Sequence, residues 1–271
     1  MYRTMLLAGA AAALSTPLAA QEAPNAVTEH QEDSSTAVEL TSGAEYQEGS
    51  YGAVERVETL SAPVGLRVTT GRFQFSGTLP YVRVSAPGNV VGGGGLLGLP
   101  PIIDPTRPAT RQRREGIGDA KLAAAYTIPS PHVGLTFTGQ VKVPTASAAK
   151  GLGTGEADYA LGAEISRQFG AVTPFAAIGY TLPGDPEGYD LRNSLSARAG
   201  AALQMSARLR GHVSYGYAQS TSPLISDEQQ IVTGLNASLS RRMSLGIYGS
   251  AGLSEGAPDI GAGLQLGFRI R

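Results

Sequence analysis

Apolar and polar positions alternate with period two from about residue 50 to the end, and the last segment shows it best. Ile260, Ala262, Leu264, Leu266, Phe268 and Ile270 fall on one face, and Gly261, Gly263, Gln265, Gly267, Arg269 and Arg271 on the other. Successive side chains leave a strand on opposite sides, so this is strand periodicity. Residues 132–143 repeat it, with Val133, Leu135, Phe137, Val141 and Val143 opposite Gly134, Thr136, Thr138, Gln140 and Lys142. About twelve such segments can be marked, at 50–60, 63–70, 73–84, 117–128, 132–143, 157–168, 172–182, 193–205, 208–219, 229–240, 243–254 and 260–270. Most approach the length of about 9–11 residues that a tilted strand needs to cross a bilayer.

The connections carry a second signal. Gly71-Arg72, 129–131, 169–171, Ser206-Ala207 and Arg241-Arg242 are tight, whereas 85–116, 144–156, 183–192, 220–228 and 255–259 are longer. Short and long alternate from about residue 70 onward, as in a barrel with turns on one side of a membrane and loops on the other. The first hairpin, around Ser61-Ala62, is the exception. Backbone groups in hydrocarbon must all pair within the protein, which requires the sheet to close. The expected fold is therefore all-β: a closed antiparallel transmembrane up-and-down β-barrel of about twelve strands. Its apolar rows face lipid, and its Gly, Ser, Thr, Gln and charged rows face the lumen.

Composition agrees. Among 271 residues there are 36 glycines and only 16% charged residues, and no apolar run reaches the roughly 20 residues of a membrane helix. A formal net charge of −1 gives no reason to expect nucleic acid as a partner. The absence of cysteine excludes disulfides, thiol nucleophiles and thiolate metal sites. Aromatic residues are sparse at 6% with no Trp, so Tyr126, Tyr159, Tyr180, Tyr215 and Tyr217 must supply much of any interfacial girdle.

The N-terminus reads as a secretory signal peptide over residues 1–20. Arg3 is the basic region, Met5 to Leu14 the apolar stretch, and Ala19-Ala20 precedes polar Gln21-Glu22. Residues 21–49 carry Glu22, Glu29, Glu32, Asp33, Glu39 and Glu45 without an apolar period, which predicts a mobile tail ahead of a barrel spanning 50–271. The expected location is the outer membrane of a Gram-negative-type bacterium. The expected partners are outer-membrane lipid, small-molecule solutes and the barrel assembly machinery.

From Gly116 to the end the chain resembles the outer-membrane transporter family known as the MetA-pathway of phenol degradation. The matching pieces, in order, are Gly116-Ile117-Gly118-Asp119-Ala120, Val141-Lys142-Val143-Pro144-Thr145, Gly151-Leu152-Gly153-Thr154-Gly155, Asp158-Tyr159, Gly179-Tyr180, and Gly252-Leu253-Ser254 with Pro258-Asp259. The resemblance implies a barrel that passes small, often aromatic compounds, and it brings no catalytic residues with it.

Inward-facing charges are the candidate functional residues: Asp119, Lys121, Lys142, Asp158, Glu164, Arg198, Arg208, Arg210, His212 and Arg269. They can act as an electrostatic filter or pair into ladders that fill the lumen. The three histidines, His30, His132 and His212, share no ligand spacing, so no metal or other cofactor is expected. His212 and Ser214 alone lack a third partner and an oxyanion hole, and no enzymatic activity is expected. The Gly92–Gly95 and Gly151–Gly155 runs lack the strand–helix setting and Lys-Ser/Thr pair of a nucleotide loop. The long loop 85–116 joins an apolar stretch to a basic run. Leu96, Leu97, Arg111 and Arg113 are its candidates for constricting the pore. The functional expectation is passive passage of small, hydrophobic or aromatic compounds; the alternative is a structural barrel with a filled lumen and no transport.

Overall fold

A computed structural model describes residues 36–51, 55–92, 101–104, 108–128, 130 and 133–270. The strands are β1 (Ala37–Gly49), β2 (Val57–Thr70), β3 (Phe73–Pro87), β4 (Val90–Val91), β5 (Ile102–Ile103), β6 (Arg111–Ile117), β7 (Ala120–Ile128), β8 (Gly134–Val143), β9 (Asp158–Ser166), β10 (Val172–Leu182), β11 (Ser194–Ser206), β12 (Leu209–Ala218), β13 (Glu228–Ser238), β14 (Met243–Gly252) and β15 (Ile260–Arg269). Each long strand pairs antiparallel with its chain neighbours, and β1 pairs with both β2 and β15, so the sheet closes. β6 and β7 share one side of β3 end to end and act as one bent strand. The closed wall thus has twelve staves. β4 and β5 form a separate small hairpin.

The wall is inside out relative to a soluble protein. Leu40, Leu60, Leu66, Ile178, Val213, Ile231, Ile247 and Leu264 are exposed outward, whereas Glu45, Gln47, Gln74, Gln140, Ser214, Gln230 and Ser250 are buried. Aromatic residues collect at the two rims. Tyr46, Tyr81, Tyr159, Tyr180 and Tyr215 are exposed toward the long-loop ends of their strands, and Phe73, Phe75, Phe137, Phe169 and Phe268 toward the short-turn ends. Tyr126 joins the second belt, its ring 4.9 Å from that of Phe73. Rings with one apolar and one polar edge suit the lipid–water boundary.

The first two staves differ from the sequence expectation. Part of the stretch read as a tail, 21–49, forms β1, and the segments 50–60 and 63–70 belong to one connection and one strand, β2. The alternation in β1 was faint because its outward row contains Ser42 and Ala44 beside Leu40 and Tyr46. The hairpin expected around Ser61-Ala62 is absent: both residues lie inside β2, followed by Pro63 opposite Pro80 of β3. Pro63 interrupts only the other ladder, which lapses between Ser42↔Val64 and Glu45↔Ser61 because proline donates no N–H. With β1 restored, the first outer connection runs from 50 to 56, and the alternation of short turns and long loops holds around the whole barrel. Residues 1–35, and with them the signal-peptide reading, lie outside the described residues.

A bulge separates β6 from β7. The β3 partners sum to 198 for Tyr81↔Ile117 and to 199 for Thr78↔Lys121, so one extra residue is inserted around Gly118–Ala120. Pro80 sits at the break, where its carbonyl still accepts the Gly118 N–H at 2.9 Å. The bulge reverses parity: even-numbered residues of β6 face inward, and odd-numbered residues of β7 do.

Candidate functional site: the lumen and its outer mouth

Nine of the ten lumen candidates stand in the inward rows. Lys121, Lys142, Asp158, Glu164 and Arg198 are buried, and Asp119, Arg210, His212 and Arg269 are half-buried. Arg208 is the correction. The β11–β12 register shifts between Gln204 and Ser206, which leaves Arg208 exposed in the turn. A parity count carried back from Arg210 fails there because a turn keeps no alternation.

Lys142 organises the outer end of the lumen. Its Nζ lies 2.8 Å from Asp158 and 3.3 Å from Asp119 and donates to the Thr154 hydroxyl at 3.3 Å. Each carboxylate also holds a loop. Asp119 accepts the Ala146 N–H at 3.0 Å, and Asp158 accepts the Gly184 N–H at 2.9 Å. Thr145 ties the bulge down: its hydroxyl accepts from the Ala120 N–H at 2.8 Å and donates to the Gly118 carbonyl at 2.7 Å. A Cβ on Gly153 would stand 2.8 Å from Asp119, so this loop position requires glycine. The separate pieces around 116–120, 141–145, 151–155 and 158 therefore meet at one place. They fix the 144–157 loop onto the barrel wall.

Two further ion pairs lie along the inner wall, between strands that are adjacent or one apart. Arg198 donates to Glu164 at 2.6 Å and lies 4.8 Å over the Phe175 ring. Arg67 donates to Glu39 at 3.2 Å. Glu39, Glu45 and Arg67 were missed as lumen residues because the first two lie in the misread tail and the third in the split strand. Among the described residues, neither ring nitrogen of His212 has a hydrogen-bond partner, and no group of three or more metal-binding side chains occurs. His30 and His132 lie outside the described residues.

The long loop bends over the mouth. Val90, Val91 and Ile102 of the β4–β5 hairpin are buried. Val90 belongs to an apolar cluster with Tyr51, Val57, Val82, Val84, Ala86, Ala146 and Leu152, so the inward row near this rim is apolar on the β2–β3 side. Tyr189 of the β10–β11 loop donates to Asp104, just after β5, at 3.0 Å. Leu96 and Leu97 lie outside the described residues. Arg111 and Arg113 do not point into the pore as expected. The bulge reverses their parity, and both are exposed, with Arg111 bonded to Glu58 at 2.9 Å. Arg114 is the inward member of the basic run, and its guanidinium donates to the carbonyls of Val90 at 2.6 Å and Gly151 at 3.4 Å.

The fold has solved relatives. An outer-membrane channel from Pseudomonas putida F1 superposes with a TM-score of 0.66 at 15% identity, over 90% of this chain and 100% of the other. The KdgM porin gives 0.54 at 6% identity, over 86% and 99%. The translocator domain of the autotransporter NalP from Neisseria meningitidis gives 0.52 at 13% identity, over 89% and 90%. A porin and an autotransporter translocator do different work, so at these identities the likeness fixes the fold alone. No curated protein matches the chain in sequence. The model of the family described as "Putative MetA-pathway of phenol degradation" matches residues 40–270, from the fourth residue of β1 to just past the end of β15. With that match spanning all twelve staves, the chain belongs to this family of outer-membrane β-barrels.

Proposed function

We propose that the protein is a passive outer-membrane channel for small hydrophobic or aromatic compounds. The observation that carries this reading is the inverted polarity of a closed wall: an apolar belt between aromatic rims outside, and glutamine, serine, threonine and ion pairs inside. Such a cylinder is at home in a bilayer, and its inner surface suits water and dissolved solutes. The apolar cluster at the outer mouth supports apolar solutes. Passage is downhill and involves no bond making; Ser214 and His212 act as lumen lining. Outer-membrane lipid surrounds the apolar belt, and the barrel assembly machinery inserts the chain.

The test is conductance of the purified protein in planar bilayers, together with uptake of aromatic and aliphatic compounds by cells with and without it. Discrete conductance steps and faster aromatic uptake are expected. A second reading, a structural barrel that passes nothing, draws on the buried ion pairs and the hairpin over the mouth. Absence of both conductance and uptake would favour it.

A further inference from the structure

The outer rim holds a cleft of about 470 Å³ between β6 and the 144–157 loop, lined by Gln112, Arg113, Arg114, Glu115 and Lys150 among others. That volume lies in the range of small-molecule sites. Three of these side chains are cationic. The one acid, Glu115, is already engaged by Arg83 at 2.6 Å. Arg114 is held by two backbone carbonyls, so its charge is fixed beside the cleft. Lys150 reaches across to the Glu115 carbonyl at 3.5 Å.

The backbone adds donors of its own. β6 pairs only with β3, so its second edge is open to the cleft. Gly118 N–H bonds to Pro80 and Gly88 N–H to Thr110. These two bonds set the register in which even-numbered β6 residues face β3 along the ladder. In an antiparallel strand the intervening residues point their N–H groups the other way. The N–H groups of Arg113 and Glu115 are thus aimed into the cleft together with their carbonyls, of which that of Glu115 is covered by the Lys150 ammonium. A sheet edge presenting amide hydrogens beside guanidinium and ammonium groups is an anion-binding arrangement.

Resting on the channel reading above, we propose that this cleft binds an oxyanion-bearing solute, an organic carboxylate such as an aromatic acid, at the mouth before passage. Arg113 and Lys150 hold the charged end with the two edge amides, and the alkyl stems and Ala149 border the remainder. The carboxylate ranks above a neutral phenol because the site's donors outnumber its free acceptors.

Calorimetric titration of the detergent-purified barrel tests this, with benzoate and inorganic phosphate as solute probes, benzyl alcohol as the neutral control and solubilised lipid A as the membrane source of phosphate. Benzoate and phosphate should compete for one site that benzyl alcohol does not fill. The double variant Arg113→Gln, Lys150→Gln should weaken benzoate at least tenfold while keeping the parent's far-UV β-sheet signal and thermal unfolding midpoint, which serve as its folding control. Arg83→Gln, which leaves Glu115 uncompensated, should weaken it in the same direction. Equal binding of benzyl alcohol, undiminished benzoate binding in the double variant, or displacement by lipid A but not phosphate would overturn the proposal. A barrel that conducts without binding benzoate removes the site alone. One that binds benzoate but conducts and transports nothing removes the channel reading.

Discussion

The Tyr189 hydroxyl donates to the Asp104 carboxylate at 3.0 Å and so joins loops that leave the rim four staves apart. Asp104 is buried, and one such bond contributes on the order of 1 kcal/mol. Tyr189→Phe should therefore raise the fraction of time the hairpin is displaced by about fivefold. Single-channel recording would show this as a higher open probability at unchanged unit conductance. An unaltered trace would mean that the hairpin is held elsewhere.

Leu264 and Gln265 are adjacent in β15 but face opposite media, with Leu264 44% exposed on the outside. Leu264→Arg should cost about 2–4 kcal/mol if it lies near the bilayer midplane, while Gln265→Arg should cost far less. Urea titration of folding into lipid vesicles measures both. Equal penalties would reverse the assignment of faces.

Arg198 and Glu164 are buried partners at 2.6 Å. Removing one strands the other, at a cost of about 3–5 kcal/mol. Arg198→Leu should lower the unfolding midpoint sharply, and adding Glu164→Leu should recover most of the loss. If the double variant is as weak as the single one, the pair is not a closed unit.

Asp227 lies in the loop between β12 and β13. A hydrogen bond from Tyr217, then the Ser220 N–H and the Arg192 charge, hold its carboxyl below the usual range against a smaller cost of burial. A lowered carboxyl pKa stabilises the folded loop above the ordinary aspartate value of about 3.9. That stabilisation is lost as pH falls through the lowered value. Amide protection factors across residues 219–227, taken relative to the intrinsic exchange rate at each pH, should fall at acidic pH in the parent. In Asp227→Asn they should be lower at neutral pH and nearly flat across the same range.

The barrel itself was legible because lipid enforces alternation, and β15 or β8 could hardly be read otherwise. The count of twelve came out right although two staves were misplaced: one strand lost in the tail was balanced by one gained at Ser61-Ala62. Strand β1 was hidden by Ser42 and Ala44 in its outward row. The lumen charges followed from parity alone wherever parity was unbroken. Parity failed at Arg208, at a turn. Arg111 and Arg113 were placed by the make-up of a long loop, but they belong to strand β6 beyond a bulge that local sequence does not announce, and both face outward. The role of the Gly151–Gly155 run could not be read at all, because its reason is Asp119, more than thirty residues upstream.

The bulge at Gly118–Ala120 works like a frameshift in a protein that is otherwise read two residues at a time. On one side of it odd numbers mean water, and on the other they mean the outer surface. Deleting a single residue there would put both halves into one phase and turn either Arg114 or Lys121 toward the outside. A substitution at the same place would leave the phase intact. The tolerance of this stave is therefore set by arithmetic rather than chemistry: it accepts many replacements and no net change of one.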